Sequence, residues 1–237
     1  MAHLDVTRGG RQRAFRARPH ALCYTHPMSE QRLPDRIHAD WRTAGRSWPA
    51  HLCRAILHAM GWRVIMDLPR VDKVVIVFYP HTSNWDFVIG LLAKFGIGVP
   101  VTWAGKDNLF RWPLRGFWGR LGGIPVNRRE HTGFVAQMTA EFARRQTMML
   151  AIAPEGTRRR TEHWKSGAYR VALAAGVPLG LAFIDFRTRE VGVGGLVYPS
   201  GDPEADFSKL RAFYSGKTAR HPAQAGPVAM KPDPTGT

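Results

Sequence analysis

Two residues in the first half of the chain are of types that move protons. His81 and Asp86 lie five positions apart in the segment PHTSNWD (80–86), directly after the apolar run VVIVFY (74–79). If Ser83 or the next residue caps a following helix, Asp86 falls in its first turn and its carboxylate can fold back towards the His81 ring. A carboxylate on one ring nitrogen leaves the other as a proton acceptor. We therefore predict that His81 is a general base oriented by Asp86.

The same segment offers no nucleophile for a covalent intermediate. Ser83 lies two residues from His81 and outside a G-x-S-x-G elbow, so an acyl-serine is not expected. A His–Asp pair alone suits the deprotonation of a substrate hydroxyl, and the alternative is a structural histidine at a strand end. His131 and His163 stand in no ligand spacing and no H-E-x-x-H motif occurs, so we expect no metal ion.

A second segment, PEGTR (154–158), follows the apolar run MMLAIA (148–153). Gly156 allows close approach of the backbone, Thr157 offers a hydroxyl, and Arg158 presents a planar fork that matches phosphate oxygens. We predict an anion-binding loop here. A solvated charge run is the alternative, and it explains the two arginines that follow better than it explains the loop itself.

A third segment, residues 106–129, carries six basic residues against one acid, a net charge of +5. Four aromatic residues are interleaved with them: Phe110, Trp112, Phe117 and Trp118. Three interpretations remain open for these aromatics: stacking on single-stranded nucleic acid, contact with lipid, or packing in the core.

Strands alternate with helices around these segments. This order predicts an α/β fold: a mixed, partly parallel sheet flanked by helices in a single domain. In such sheets, ligands bind beyond the carboxyl ends of the strands, where the first two segments lie. The predicted strands are 74–79, 99–104, 124–127, 148–153, 177–185 and 191–197, and the predicted helices are 84–95, 132–145, 165–175 and 203–214.

An N-terminal amphipathic helix is predicted before the first strand. Leu52, Ala55, Ile56, Ala59 and Met60 recur at helical spacing, with a polar face of Arg54 and His58. The helix either caps the core or lies on a membrane surface.

The two ends of the chain differ in composition from the middle. Residues 1–48 are predicted to be a poorly ordered basic extension, with Met1 or Met28 as the start. Residues 49–218 form the predicted functional domain, and the Pro- and Gly-rich residues 219–237 are predicted to be a flexible tail.

The composition limits the partners of the protein. The 237 residues include 34 Lys and Arg against 18 Asp and Glu, a net charge of +16, which admits nucleic acid, an anionic membrane or small anionic substrates. Two cysteines make no disulfide framework, so a reducing compartment is expected. No run of about 20 apolar residues and no signal peptide is visible, so we expect a cytoplasmic protein without a transmembrane helix.

The order of the motifs is more specific than any one of them. His81-x-x-x-x-Asp86, then KDNLF (106–110) with GIPVNR (123–128), then PEGTR (154–158), then GVPL (176–179) resemble the four motifs of the glycerophospholipid acyltransferases. The chain is most similar to the bacterial lysophosphatidic acid acyltransferases within that group. The resemblance covers about residues 72–185.

The resemblance implies a reaction and a set of site residues. His81, held by Asp86, would remove the proton of a free hydroxyl on a lysophospholipid such as 1-acylglycerol-3-phosphate. The resulting oxygen would attack the thioester of acyl-CoA or acyl carrier protein and give phosphatidic acid, with no covalent acyl-enzyme and no cofactor. The implied substrate-binding residues are Lys106, Arg128, Glu155, Gly156, Thr157 and Arg158. The second Pro of the fourth motif is missing after Pro178, so the resemblance does not fix the acyl-chain preference.

We expect such an enzyme to bind peripherally to the cytoplasmic face of an anionic membrane. Alternative acceptors are a lyso-ornithine lipid or dihydroxyacetone phosphate. The alternative from another class is a basic nucleic-acid-binding module. No helix-turn-helix, zinc-finger or aromatic RNA-binding signature supports that module, and we expect no nucleic-acid partner.

Overall fold

The computed structural model describes residues 48–69, 71–126 and 131–231. Over these residues the chain forms seven strands and six α-helices, with two single-turn 3₁₀ helices at Asp107–Phe110 and Pro222–Gln224. The elements in chain order are α1 (Trp48–Ala59), β1 (Arg63–Met66), β2 (Lys73–Tyr79), α2 (Asn84–Ile97), β3 (Val101–Lys106), α3 (Arg115–Arg120), β4 (Gly123–Val126), α4 (His131–Arg144), β5 (Met148–Ile152), α5 (Gly167–Ala175), β6 (Leu179–Asp185), β7 (Glu190–Val197) and α6 (Pro203–Tyr214).

The strands form one sheet in the order β1-β7-β6-β2-β5-β3-β4. Only the pair β6–β7 is antiparallel, and every other pair is parallel. The predicted mixed, partly parallel α/β fold is therefore confirmed. Strand β1 and helix α3 were not predicted; both are short, with four and six residues.

Strand β2 lies in the middle of the sheet, between β5 and β6, and both of its faces are covered. Val75, Val77 and Tyr79 belong to the large hydrophobic cluster that includes residues of α4, α5 and α6. Ile76 and Phe78 point to the other face, towards α2. The alternation follows from the two-residue period of a strand, and it explains why the run has no polar side.

Helix α1 packs on α2 with a face different from the one predicted. Arg54, assigned to the polar face, is buried and donates from Nη1 to the carbonyl oxygen of Gly96 at 3.1 Å. Leu52 and Ile56, assigned to the apolar face, are exposed, whereas Leu57 is buried. The apolar period of the helix thus leaves Leu52 and Ile56 exposed, and packing against α2 decides which side is buried.

The predicted flexible tail is wrong for residues 219–231. Ala219 and Val228 are buried, and Trp164 N donates to the carbonyl oxygen of Ala229 at 2.7 Å. Met230 forms an isolated bridge with Trp164. The segment packs on the domain through these backbone bonds although its composition is typical of a tail. The predictions for residues 1–47, for the start of the chain and for residues 232–237 lie outside the described residues.

Helix length also bears on the membrane question. Within the described ranges, no helix is long and apolar enough to cross a bilayer.

Candidate active site

The site lies beyond the carboxyl ends of two neighbouring strands. Strands β2 and β5 pair in parallel, so both end at the same edge of the sheet. His81 follows the end of β2 by two residues, and Glu155 follows the end of β5 by three. The two segments that the sequence singled out for chemistry are therefore neighbours in the fold, as the strand-end rule predicts.

Asp86 is fixed by the start of helix α2. Ser83 is the N-cap residue, and Asp86 closes a capping box from the third helical position. The buried Oδ2 of Asp86 accepts the backbone N–H groups of Thr82 at 2.6 Å and Ser83 at 2.7 Å. The cap therefore places a buried carboxylate beside the loop that carries His81.

The His81 ring lies against this carboxylate. Its Nδ1 is 3.5 Å from Oδ2 of Asp86, within ion-pair distance but longer than an ordinary hydrogen bond. Hydrogen bonds of catalytic groups are often this long in structures without substrate, and they shorten when the substrate binds. The ring also packs edge-on against Phe78, with centroids 5.9 Å apart. With 17% of its side chain exposed, His81 is held by its neighbours and still reaches the cavity described below.

Glu155 lies under the site and not in it. We predicted it among the substrate-binding residues, but it is 1% exposed. Its Oε2 accepts the backbone N–H of His81 at 2.8 Å, and its Oε1 accepts that of Gly226 at 3.4 Å. Burial raises the pKa of Glu155, and the N–H groups of His81 and Gly226 oppose that rise. This geometry supports an orienting role for Glu155, through the backbone of His81.

The next three residues face the cavity. Gly156 N donates to the carbonyl oxygen of Ala153 at 3.1 Å, which closes a turn behind Pro154. Gly156 has φ +66°, and a Cβ there would lie 2.9 Å from Cε of Lys165, so only glycine is accommodated without a shift. The exposed side chain of Arg158 lines the same cavity as His81.

Thr157 is also exposed and lines the cavity beside Arg158. Two further residues were predicted to belong to the site, Lys106 and Arg128. Lys106 ends β3, and β3 pairs in parallel with β5, so its backbone lies near the same edge of the sheet. Arg128 lies outside the described residues. The substrate-binding roles of both remain predictions.

A large cavity of about 1090 Å³ extends from His81 between the sheet and α2. His81, Asp86 and Arg158 are among its polar lining residues. Most of the remaining wall is apolar, and sequence reasoning missed it because its residues come from distant elements. They include Met66, Leu68, Ile76, Phe78, Phe87, Gly90, Val101, Trp103, Trp118, Met149, Ala182 and Val193.

Lys94 brings a charged group to this mostly apolar wall. Its ammonium donates to the carbonyl oxygen of Leu121 at 2.7 Å, and burial lowers its pKa. Trp103 Nε1 donates to the same carbonyl at 3.1 Å. Both polar groups are therefore satisfied by the backbone, and their aliphatic and aromatic parts remain to line the cavity.

Comparisons with known proteins bear on the family that this chain resembles. Residues 64–180 match the family model described as Acyltransferase. Over this segment, just under half of the chain, the protein is similar to that family. The resemblance read from the motif order is thus confirmed, and the acyltransferase match favours an enzyme over a nucleic-acid-binding module. The matched segment contains the His81 and Arg158 loops, but it ends before the packed residues 219–231.

One curated protein and one solved structure are similar to this chain. The 1-acyl-sn-glycerol-3-phosphate acyltransferase of Escherichia coli (strain K12) is 29% identical over 155 residues, which are 60% of each chain. The present chain therefore spans about 60% of the length of that relative. The crystal structure of the 1-acyl-sn-glycerophosphate (LPA) acyltransferase from Thermotoga maritima aligns with 70% of this chain and 74% of that chain, with a TM-score of 0.46 and 15% identity.

Among residues 48–69, 71–126 and 131–231, no group of three His, Cys, Asp or Glu side chains is placed to hold a metal ion.

The buried Glu155 gives a testable pH dependence of stability. Because burial raises its pKa above the usual 4.5, the folded protein holds this proton more tightly than the unfolded chain. The stability contributed by this group therefore falls as pH rises from about 4.5 towards the folded pKa. We expect the unfolding temperature of the wild type to fall relative to that of Glu155→Gln over this interval, on top of a constant offset from the changed hydrogen bonds.

Glu141→Gln is the matched control, because the pKa of Glu141 is lowered by hydrogen bonds from Arg145 and Arg144. Its stabilising effect is present above pH 4.5 and is lost as pH falls below that value. Above pH 4.5 the difference in unfolding temperature between the wild type and Glu141→Gln should therefore stay constant, whereas the difference between the wild type and Glu155→Gln changes with pH. Parallel unfolding curves for wild type and Glu155→Gln across the interval would contradict the assignment.

Proposed function

We propose that the protein transfers a fatty acyl group from acyl-CoA or acyl carrier protein to a free hydroxyl of a lysophospholipid such as 1-acylglycerol-3-phosphate. One observation carries this proposal. A single cavity joins a His–Asp pair, an exposed arginine and a large apolar volume. These are the three elements needed to deprotonate a hydroxyl, bind a phosphate and hold a fatty chain.

The chemistry begins with the substrate hydroxyl at His81. The imidazole takes the proton as the hydroxyl oxygen attacks the thioester carbonyl, and Asp86 stabilises the imidazolium that forms. The tetrahedral intermediate collapses by breaking the carbon–sulfur bond, and the imidazolium returns its proton to the leaving thiolate. The products are the ester and the free thiol, so the reaction consumes no cofactor and needs no enzyme nucleophile.

Arg158 is the proposed phosphate ligand at the mouth of the cavity. Its guanidinium is exposed on the loop that starts at Gly156, and charge-assisted bonds to phosphate are the strong kind. Lys106 and Arg128 are proposed to complete the site. This favours phosphate-bearing acceptors, which include 1-acylglycerol-3-phosphate and dihydroxyacetone phosphate, over a lyso-ornithine lipid.

The apolar body of the cavity is the proposed acyl site. The whole cavity, at about 1090 Å³, is slightly larger than typical pockets for small molecules, which measure roughly 300–1,000 Å³. Each methylene moved there from water contributes about 0.8 kcal/mol. A long chain therefore binds favourably without any polar contact along its length.

His81→Ala tests the proposed base. We expect kcat to fall by about 10²–10⁴, the usual contribution of a general base. The assay is transfer of a labelled acyl group from palmitoyl-CoA, or from the acyl carrier protein thioester, to a panel of lysophosphatidic acid, dihydroxyacetone phosphate and lyso-ornithine lipid.

His163→Ala, at an exposed position away from the cavity lining, is the matched control and should transfer at the wild-type rate. Circular dichroism checks that both variants fold. A His81→Ala protein that folds and retains near wild-type transfer would overturn the mechanism.

Gly90→Leu tests the acyl site. Gly90 lies on α2 in the cavity wall, and a Cβ there meets the Phe78 ring at 3.8 Å, an ordinary contact. The larger leucine side chain fills part of the cavity. Excluding about two methylenes at roughly 0.8 kcal/mol each lowers kcat/KM for palmitoyl-CoA by about 15-fold, whereas octanoyl-CoA is little affected.

Gly90→Ala is the control, because it adds only one methyl group at an ordinary contact distance from Phe78. Alanine also stabilises the helix by about 1 kcal/mol relative to glycine. It should keep the wild-type preference. If the ratio of kcat/KM for palmitoyl-CoA to kcat/KM for octanoyl-CoA is the same in Gly90→Leu as in the wild type, the cavity is not the acyl site.

The membrane surface is proposed from helix α3 and the residues before it. Trp112 is 91% exposed, and Phe117 and Leu114 are also exposed. Three exposed arginines lie among them, at positions 111, 115 and 120. Each basic side chain near an anionic leaflet contributes about 1 kcal/mol, and aromatic rings suit the headgroup level. We place this surface on the cytoplasmic face of the membrane.

Replacing both Trp112 and Phe117 by alanine tests this surface. We expect the double variant to lose flotation with vesicles of phosphatidylglycerol and phosphatidylcholine at about 0.15 M salt, because the apolar contribution is lost and the remaining arginines are screened by the salt. Tyr198→Ala removes another exposed aromatic outside this segment and should float as the wild type does. Equal flotation of the double variant and the wild type would count against docking through α3.

A further inference from the structure

Residues 221–226, called here the C-terminal clamp, contact both loops of the site. The clamp lies beyond the matched family segment, which ends at residue 180. His221 N donates to Oγ1 of Thr82 at 3.2 Å. Gly226 donates from N to Glu155 at 3.4 Å and accepts from the Tyr79 hydroxyl at 2.8 Å. The clamp is therefore tied to the end of β2 and to the loop after β5.

Gln224 connects the two loops a second time, in addition to the hydrogen bond from His81 N–H to Glu155. In the orientation that satisfies its neighbours, its side-chain nitrogen donates to the carbonyl oxygen of Arg158 at 2.9 Å and to that of Thr82 at 3.1 Å. Thr82 follows His81 directly, and its N–H donates to Asp86. One amide nitrogen thus bridges the backbone beside the proposed base and the backbone of the proposed phosphate ligand.

At Gly226 the clamp lies very close to the backbone of Thr161. A Cβ on Gly226 would lie 2.1 Å from the carbonyl oxygen of Thr161, a distance that backbone atoms cannot accept. Arg160 Nη1 donates to the carbonyl oxygen of Ala225 at 3.1 Å, which adds a further tie to the same loop. These contacts hold Gln224 over the gap between the loops.

We propose that Gln224 is a positioning residue that sets the distance between His81 and Arg158 through the backbones of both loops. This rests on the proposed function, because the distance matters only if one substrate spans a proton acceptor and a phosphate ligand. The two loops leave different strands and share no strand ladder at this point, so a side chain with two donors on one nitrogen is suited to join them. A misplacement of about 1 Å between reacting groups can lower a rate by about 100-fold.

Gln224→Met tests the bridge, since methionine keeps the length of glutamine but has no donor. Gln224 is exposed, so the variant is expected to fold and to unfold at the wild-type temperature. We expect kcat/KM for lysophosphatidic acid to fall about ten-fold. This is less than the fall of about 100-fold expected for a misplacement of about 1 Å, because the loops keep their other contacts. Ala223→Met, in the same turn, is the matched control and should be close to the wild type.

A double-mutant cycle separates positioning from a general structural role. In an Arg158→Ala background the phosphate ligand is already gone, so Gln224→Met should change kcat/KM less than about two-fold if it acts through Arg158. A ten-fold effect in both backgrounds, or no effect in the wild-type background, overturns the proposal.

Hydrogen–deuterium exchange separates a failure of the bridge from a failure of the proposed function. If the wild-type protein acylates none of the acceptors, the proposed function fails first. Hydrogen–deuterium exchange then tests the bridge alone, and the segments around residues 80–86 and 156–160 should both exchange faster in Gln224→Met than in Ala223→Met. Unchanged exchange in both segments overturns the bridge.

Discussion

The buried carboxylate of Glu155 joins the parts of the site. A carboxylate that is 1% exposed must be paired or bonded, and here its two oxygens accept backbone N–H groups from the loop after β2 and from the C-terminal clamp. The strand β5 and the turn after it place the carboxylate at this position. Three segments that are far apart in sequence are therefore held around one group, and the cost of leaving it without donors keeps them together.

Helix α2 couples the polar and apolar halves of the site. Its first turn requires a cap, and Asp86 supplies part of it while lying beside His81. Farther along, the same helix contributes Phe87 and Gly90 to the cavity wall opposite the sheet. Asp86 in the first turn and the residues that shape the cavity wall thus lie on the same rigid helix. Their relative positions follow from the helix geometry without further contacts.

The parts of the fold that the sequence predicts are those with local signals. The strand at 74–79 is a continuous run rich in β-branched residues. In the segments 80–86 and 154–158, the residues of each motif lie close together in the sequence, so the motif can be recognised locally. The C-terminal clamp gave the opposite signal, because its Pro- and Gly-rich composition is typical of a tail, whereas Gly226 is required by the approach of Thr161. The face of α1 and the cavity wall depend on tertiary packing, which no local period encodes.

In the proposed function the basic residues have two roles, which are phosphate binding and contact with the membrane. Helix α3 has residues at both the cavity and the surface. Arg158 lies in the cavity, whereas the arginines around α3 are on the surface. Trp118 of α3 lines the cavity, and its ring packs against exposed Phe117 with centroids 5.0 Å apart. A helix that touches a bilayer with one aromatic ring and the acyl site with the next lets a lipid substrate reach the cavity without fully entering water. That route avoids the hydration cost of a long acyl chain, about 0.8 kcal/mol for every methylene.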